Sequence, residues 1–295
     1  MTKQSFDEGA QLVEEIRVSV VSWGVRKIHS DEEFFRHLES LLLLAKDRGS
    51  SVVVLPELFE VELLTAFGDG PESEVAKLLA PYAPKIDEQL ALFAKQLGIT
   101  IVGGSYLRNA AAGVLNLATI AAPTGELRFQ PKNCRTQWEI EPWGLVSTTG
   151  IQTLIDPRMG VLVCYDVEFP EAARAQACAG VQLLCVPSYT ESQHGYQRVH
   201  WCCRARAVEN EIFVAQACLV GPIECFGLGT GYGRSSILTP SKGPFPDSAV
   251  IAETAFQEEG IATAKVSFRD LATCRGSGDV RLWNDRSLSA WQLLP

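Results

Sequence analysis

The sequence of 295 residues lacks an uninterrupted apolar stretch long enough to span a bilayer. Its N-terminus, MTKQSFDEGAQLVEE, is polar and acidic and contains no apolar segment of the kind that a secretory signal peptide needs. Basic residues are also in the minority, with 26 Lys and Arg against 35 Asp and Glu and a net charge of −9. Because phosphate binding needs a local excess of Lys and Arg, this balance disfavours a broad nucleic-acid surface. We therefore expect a cytoplasmic protein that binds neither membranes nor nucleic acids.

The usual spacings of metal ligands are missing as well. Nine cysteines are spread over the chain without a CxxC pair, and the four histidines are not spaced as ligand pairs. Cys202 and Cys203 are adjacent, so they cannot clamp one zinc ion in the usual way. Several cysteines lie inside apolar runs, such as Cys185 in VQLLCVPS. Without a signal peptide, this pattern favours reduced thiols, and we expect neither a metal nor a cofactor.

The order of apolar runs predicts an α/β fold. The composition, 46% hydrophobic and 21% charged, is typical of a globular chain. Short runs rich in β-branched and aliphatic residues predict strands over 16–22, 51–55, 100–104, 115–121, 127–130, 159–164, 181–187, 212–220, 235–238 and 261–266. Helical patterns occur over 31–46, 87–97, 170–180 and 195–209, the first with Ser30 and Glu33 spaced as a capping box. We expect one domain over 1–295, with a core of about 14–270, short terminal extensions and helices outside buried sheets.

Two charged residues directly follow apolar strands, although the fold does not need a charge at either position. Glu57 comes directly after the run SVVVLP, and Lys132 comes after LRFQP. Each could be a solvent-exposed residue at a strand end. Alternatively, Glu57 is a general base with a raised pKa, and Lys132 is a fixed cation beside a developing oxyanion.

Cys164 ends an apolar strand in GVLVCYDVEFPE, shortly before a helix that we expect to begin at Pro170. A helix N-terminus would lower the pKa of the thiol, and the backbone N–H of Tyr165 could stabilise an oxyanion. A cysteine at a strand end is otherwise usually a small buried hydrophobic residue. No histidine is an obvious partner. A papain-like Cys–His pair stays open, and the alternative is a carboxylate base beside a cation.

Together the three segments resemble the nitrilase superfamily of carbon–nitrogen hydrolases, in which Glu, Lys and Cys in this chain order form the catalytic triad. Glu57 lies in an LPE context, Lys132 follows its strand, and Cys164 lies in a G-x-x-x-CYD-x-x-FPE context. Similar segments at 187–188, 204–210 and 233–236 extend the resemblance over about 14–270. The pattern T-x-x-E-x-x-x-W-G at 136–144 is similar to that of a less characterised branch. Residues 133–135 depart from the His-Leu pair of many members, which leaves the substrate open.

The resemblance implies a four-layer α-β-β-α sandwich of the nitrilase type that associates as a homodimer or a larger homo-oligomer. It implies a second catalytic glutamate, for which Glu139 is the match and Glu141 the competitor. We expect Tyr165, Tyr189, His194 and Trp138 to line the pocket.

The activity implied is hydrolysis of a small amide or carbamoyl compound through a cysteine thioester, with release of ammonia or an amine. The alternatives are a nitrilase that converts a nitrile to acid and ammonia, and a catalytically silent scaffold or binding protein.

Overall fold

The computed structural model describes residues 14–150 and 156–286, whose strands form two sheets. The first sheet contains β1 (Glu15–Gly24), β2 (Val52–Val54), β3 (Thr100–Ala110), β4 (Gly113–Ala121), β5 (Leu127–Pro131) and β11 (Gly260–Ser267), in the spatial order β11-β1-β2-β3-β4-β5. The second contains β6 (Met159–Val161), β7 (Leu183–Ser188), β8 (Phe213–Val220), β9 (Ser236–Leu238) and β10 (Val250–Glu253), in chain order. A short parallel pairing between β1 and β8 joins the two sheets.

Helices cover the outer face of each sheet. On the first sheet lie α1 (Asp31–Asp47), α2 (Val75–Leu79) and α3 (Ala83–Leu97). On the second lie α5 (Pro170–Cys178) and α6 (Gln193–Asn210). Three further helices are α4 (Gln137–Ile140), α7 (Phe268–Gly276) and α8 (Leu282–Asp285), and 3₁₀ helices span Phe59–Ala66, Glu72–Glu74, Ala80–Tyr82 and Cys164–Glu168.

Strand β2 shows why the sheets are buried on both faces. Val52 and Val54 pack in the cluster between the two sheets, whereas Val53 packs in the cluster beneath α1 and α3. Successive side chains of a strand point to opposite faces, so a continuous apolar run is the sequence that such a strand needs. The predicted α-β-β-α layering is therefore confirmed. The single domain over 1–295 stays a prediction.

Local boundaries differ from the sequence predictions where tertiary packing decides the backbone. The predicted strand 100–104 continues to Ala110, because Gly104, with φ +63°, forms a bulge rather than a break. The predicted strand 159–164 ends at Val161. The capping box of α1 is also absent, because the Ser30 side chain makes no cap hydrogen bond and Glu33 instead accepts one from the His29 N–H at 2.9 Å.

A buried histidine ties three elements of the fold together. His37, on α1, lies with Nδ1 3.0 Å from Glu62 Oε1 and with Nε2 2.8 Å from Glu259 Oε2. Glu62 belongs to the 3₁₀ helix Phe59–Ala66, and Glu259 to the turn between β10 and β11. Burial lowers the pKa of His37, but the hydrogen bonds to Glu259 and Glu62 outweigh it, so the pKa lies above its usual value.

This histidine makes the free energy of unfolding depend on pH. Because its folded pKa is raised, the imidazolium stabilises the fold fully below the unfolded pKa of about 6.5, and this stabilisation is lost as the pH rises through the folded pKa. We expect His37→Gln to have a lower free energy of unfolding than wild type. We also expect that free energy to decline less between pH 6 and pH 9, as measured by urea unfolding. The exposed His29 provides the control variant His29→Gln, which should keep the wild-type slope. An unchanged slope in His37→Gln would contradict the assignment.

Gly104 allows the backbone of β3 to approach the end of β2. A Cβ at this position would lie 1.9 Å from the carbonyl oxygen of Pro56, the residue before Glu57. Gly98 has nearly the same backbone conformation, with φ +61°, and a Cβ there would meet nothing within 4 Å. Gly98→Ala should therefore lower the free energy of unfolding only by the strain of a left-handed backbone, about 1 kcal/mol. Gly104→Ala should lower the free energy of unfolding by a further 1–3 kcal/mol, roughly the penalty of an overpacked site, because the new methyl group displaces the backbone before Glu57. Urea unfolding checks both variants, and equal losses in the two would refute the explanation.

Candidate active site

The carboxylate of Glu57 is turned inwards at the end of β2, and the residue is 1% exposed. Its Oε1 accepts hydrogen bonds from Lys132 Nζ at 2.8 Å and from Asn116 Nδ2 at 2.9 Å. Its Oε2 accepts one from the Tyr189 N–H at 3.0 Å. The solvent-exposed interpretation of Glu57 is therefore wrong.

Lys132 follows β5 and is 4% exposed. Its backbone N–H donates to the Asn116 carbonyl at 3.0 Å, and its Nζ donates to Glu139 Oε2 at 2.7 Å as well as to Glu57. Burial lowers the pKa of Lys132, but the carboxylates of Glu57 and Glu139 outweigh it and hold the pKa above its usual value. Lys132 is thus a fixed cation shared by two buried carboxyl groups.

The structure places Glu139, and not Glu141, beside this cation. Glu139 is the third residue of α4, where it forms a capping box with Thr136, and its Oε1 accepts a hydrogen bond from Asn116 Nδ2 at 3.0 Å. Burial raises the pKa of Glu139, but Lys132 and the hydrogen bonds to the carboxylate outweigh it, so the pKa is lowered. Glu141 is exposed and contacts Gln137.

Cys164 opens the 3₁₀ helix Cys164–Glu168 with φ +46°, a left-handed conformation that is uncommon for a residue other than glycine. Its Sγ lies 3.4 Å from the Tyr189 carbonyl oxygen, and the thiol is close enough to Glu57 for the carboxylate to act on its pKa. Burial, reinforced by the charge of Glu57, raises the pKa of Cys164 well above its usual value, although Lys132 opposes this. The pKa lowering expected from a following helix is not found, because α5 begins only at Pro170 and the thiol is buried beside a carboxylate. The resting thiol is neutral and needs a base.

Glu57 has the properties of such a base. Burial raises the pKa of Glu57, Lys132 lowers it, and the neighbouring charge of Glu139 raises it again, so that it lies above its usual value. Proton transfer is most effective when the pKa of the base approaches the working pH. The structure therefore brings a thiol, a base and a cation together.

Two buried side chains hold the backbone segments of the site. Asp166 accepts hydrogen bonds from the N–H groups of Cys134 at 2.7 Å, Asn133 at 3.3 Å and Val163 at 3.4 Å. It therefore joins the segment after Lys132 to the segment that contains Cys164. From α6, Arg206 donates to the carbonyl oxygens of Val167 and Glu168, each at 2.9 Å. Arg206 thus holds the backbone of the 3₁₀ helix that begins at Cys164.

A cavity of about 200 Å³ opens above these groups. It is lined by Glu57, Leu58, Lys132, Thr136, Trp138, Glu139, Cys164, Tyr165, Glu168, Tyr189, Thr190, Glu191, Ser192, Gly195, Arg198 and Val199. Trp138, Tyr165 and Tyr189 therefore lie where the sequence predicts them.

The prediction for His194 differs from the structure, which places its exposed side chain outside the cavity lining. Residues 195, 198 and 199 follow the three-to-four spacing of one helix face, and His194 is one position out of phase with them.

Sequence reasoning missed Asn116, which joins Glu57 to Glu139. It is a buried amide in the strand GVLNLATIA, in which Thr119 is the one other polar residue, and that contrast is the signal that could have identified it. It also missed the ion pair at the cavity rim, where Arg198 Nε donates to both carboxylate oxygens of Glu168, at 2.9 and 2.7 Å. That pair depends on packing between α6 and the 3₁₀ helix Cys164–Glu168, which the sequence does not reveal.

The sequence model of the family described as carbon-nitrogen hydrolase matches residues 17–276. The chain belongs to this family. Among curated relatives of this carbon–nitrogen hydrolase, a probable hydrolase, YhcX, of Bacillus subtilis (strain 168) is 29% identical over 277 residues. The match covers 92% of this chain but only 53% of YhcX, so the chain spans about half the length of that relative. Omega-amidase NIT2 of Danio rerio is 28% identical, with 88% of this chain and 91% of that protein covered.

Solved structures show the same fold at lower identity. Nit3 of Saccharomyces cerevisiae, a member of branch 10 of the nitrilase superfamily, superposes with a TM-score of 0.73 at 21% identity, covering 89% of this chain and 94% of Nit3. A double mutant of the amidase from Nesterenkonia sp. AN1, in complex with acrylamide, gives a TM-score of 0.70 at 22% identity, covering 95% and 97% of the two chains.

No helix in residues 14–150 and 156–286 combines the length and apolar character needed to cross a membrane. Within the same residues, no group of three or more His, Cys, Asp and Glu side chains could hold a metal ion. The absence of a metal and of a cofactor stays a prediction.

Glu60 is a further buried carboxyl group close to the site, with an exposure of 0%. Its Oε1 accepts a hydrogen bond from the Leu107 N–H at 2.8 Å, and its Oε2 has no hydrogen-bond partner among the described residues. Burial raises the pKa of Glu60 to about 8, so the group is mostly protonated at neutral pH.

Replacing Glu60 by Gln should therefore remove a penalty that grows with pH. The unfolded chain ionises near pH 4.5 and the folded chain near pH 8, so Glu60 destabilises the wild type increasingly between these values. Relative to wild type, Glu60→Gln should gain about 3 kcal/mol of stability between pH 5 and pH 8, measured by urea unfolding.

Glu62 provides the matched control, since it is also fully buried on the same 3₁₀ helix but accepts hydrogen bonds from Trp23 and His37. Glu62→Gln should destabilise at both pH values. A Glu60→Gln variant with the same loss at pH 5 and pH 8 would disprove the assignment of a neutral Glu60.

Proposed function

We propose that this carbon–nitrogen hydrolase cleaves a small amide or carbamoyl compound through a thioester on Cys164, with Glu57 as general base and Lys132 as the cation that stabilises the oxyanion. The observation that carries the proposal is that all three buried groups line one cavity, with Lys132 hydrogen-bonded to Glu57. Glu139 completes the set by holding Lys132 and by lining the same cavity.

In the first half-reaction, Glu57 takes the proton of the Cys164 thiol while Sγ bonds to the carbonyl carbon of the amide. The π electrons of the carbonyl move to its oxygen, which becomes the oxyanion. Lys132 Nζ and the backbone N–H of Tyr165 stabilise that charge, and each such donor can contribute about 3 kcal/mol. Glu57 then gives its proton to the amide nitrogen, the C–N bond breaks, and ammonia or an amine leaves.

In the second half-reaction, a water molecule gives one proton to Glu57 and bonds to the thioester carbon. The oxyanion forms again at the same donors, and its collapse expels the Cys164 sulfur. The sulfur recovers the proton from Glu57, and the carboxylic acid leaves. Because Glu57 is hydrogen-bonded to Lys132, Asn116 and the Tyr189 N–H, it keeps one orientation through both halves.

Relatives support an amide as the substrate. Several curated relatives are named omega-amidases, and NIT2 of Danio rerio is covered nearly end to end. In one structure of the Nesterenkonia amidase, acrylamide has undergone Michael addition at the active-site cysteine. Hydrolysis of a nitrile would use the same three groups and stays an alternative, as does a silent scaffold. A homodimer or larger homo-oligomer and a cytoplasmic location likewise stay predictions.

The test is ammonia release from a panel of small amides, carbamoyl compounds and nitriles, measured for wild type and Cys164→Ala. Loss of the nucleophile should lower turnover by at least about a thousandfold, because only residual binding and oxyanion stabilisation remain. Cys185→Ala is the matched control, since Cys185 is also a buried thiol but lies in β7, outside the cavity lining. It should keep the wild-type rate within twofold.

Each other outcome has a definite meaning. Release from nitriles alone would replace the amidase by a nitrilase. Turnover that survives in Cys164→Ala would remove Cys164 as nucleophile. No turnover of any compound by wild type would favour the silent scaffold.

A further inference from the structure

The charges that line the cavity are not all paired. At its floor, Lys132 contacts both Glu57 and Glu139, and at its rim Arg198 is paired with Glu168. Glu191 also lines the cavity, and it has no cation within ion-pair distance among the described residues. One carboxylate is therefore uncompensated on the exposed side of the cavity.

The carboxylate of Glu191 is nonetheless held in place. Its Oε1 accepts a hydrogen bond from the Gly229 N–H at 3.3 Å and lies 3.3 Å from the Tyr189 hydroxyl oxygen, whose one proton is shared with the Gly229 carbonyl oxygen at 3.0 Å. Gly229 makes room for it, because a Cβ there would lie 3.1 Å from Oε1 and 3.2 Å from the Glu191 Cβ. The other oxygen, Oε2, has no hydrogen-bond partner in residues 14–150 and 156–286 and is free to accept one from a ligand.

Three aromatic residues line the same cavity as this carboxylate. Trp138, Tyr165 and Tyr189 line the same cavity, and the ring centroids of Trp138 and Tyr189 are 6.3 Å apart. Aromatic faces attract cations, most strongly where water is partly excluded. Burial raises the pKa of Tyr189, and the carboxylates of Glu191, Glu57 and Glu72 raise it further, which indicates a negative potential around its hydroxyl group.

We infer that the substrate carries a cationic group, an ammonium or guanidinium, which Glu191 binds while Cys164 attacks the amide. The inference rests on the proposed amidase activity and adds its substrate class. A carboxylate at the same place would face Glu191, and the cation at the rim, Arg198, is already paired with Glu168. Glu191 is thus a specificity-determining residue outside the chemical step.

Three amides of equal length test the inference: 5-aminopentanamide, hexanamide and adipamic acid, which end in an ammonium, a methyl and a carboxylate. For wild type, kcat/KM should be at least tenfold higher for the ammonium compound than for hexanamide. In Glu191→Gln, that advantage should fall about tenfold while kcat/KM for hexanamide stays within twofold. Glu88→Gln removes an exposed carboxylate of α3 far from the cavity lining and should leave all three values unchanged.

The outcomes separate the two claims. Equal kcat/KM for ammonium and methyl compounds, or an equal loss of both in Glu191→Gln, would overturn the inference and leave the amidase standing. A preference for adipamic acid would overturn it in favour of Arg198 as an anion-binding residue. If wild type hydrolyses none of the three and no other amide, the proposed activity fails, and the inference fails with it.

Discussion

The Lys132 ammonium, buried between Glu57 and Glu139, is the interaction on which the site depends. Taking charges out of water is costly, and a buried pair that loses one partner leaves an uncompensated charge. The end of β2, the segment after β5 and α4 must therefore keep one relative position. Asn116 reinforces it from β4 by donating to both carboxyl groups. The same arrangement that satisfies the buried charges also sets the distance between a base and a cation.

One cation serves two carboxyl groups whose environments push their pKa values apart. Glu139 receives backbone and hydroxyl donors from Thr136 at the start of α4, and its pKa is lowered. Burial and the neighbouring charge of Glu139 raise the pKa of Glu57, although Lys132 opposes them. Such a pair divides the work, because the group with the raised pKa can exchange protons while the other stays ionised and holds the lysine.

The sequence predicted those features that depend on residues close together in the chain. Apolar runs located β2 and β8 to within a residue or two, and the segments around Glu57, Lys132 and Cys164 indicated the site. Features that depend on residues far apart in the chain could not be predicted from it. The Cys164 pKa is set by burial and by a carboxylate 107 positions earlier in the chain, not by the helix that follows it. Likewise, the helix face that lines the cavity carries Gly195 and Arg198 instead of His194. The hydrogen bonds from Asn116 to Glu57 and Glu139 require β4 to lie beside both carboxyl groups.

The neutral state of the Cys164 thiol also affects how fast the sulfur reacts with oxidants. Peroxides and disulfides react with thiolates, and they react slowly with protonated sulfur. A nucleophile that is deprotonated in advance is exposed to this damage throughout its life. In the proposed mechanism, the negative charge forms on sulfur only as the bond to the substrate carbon forms, because the thiol proton moves to Glu57 in the same step. The burial that makes a base necessary thus also disfavours the thiolate, which is the form that oxidants attack.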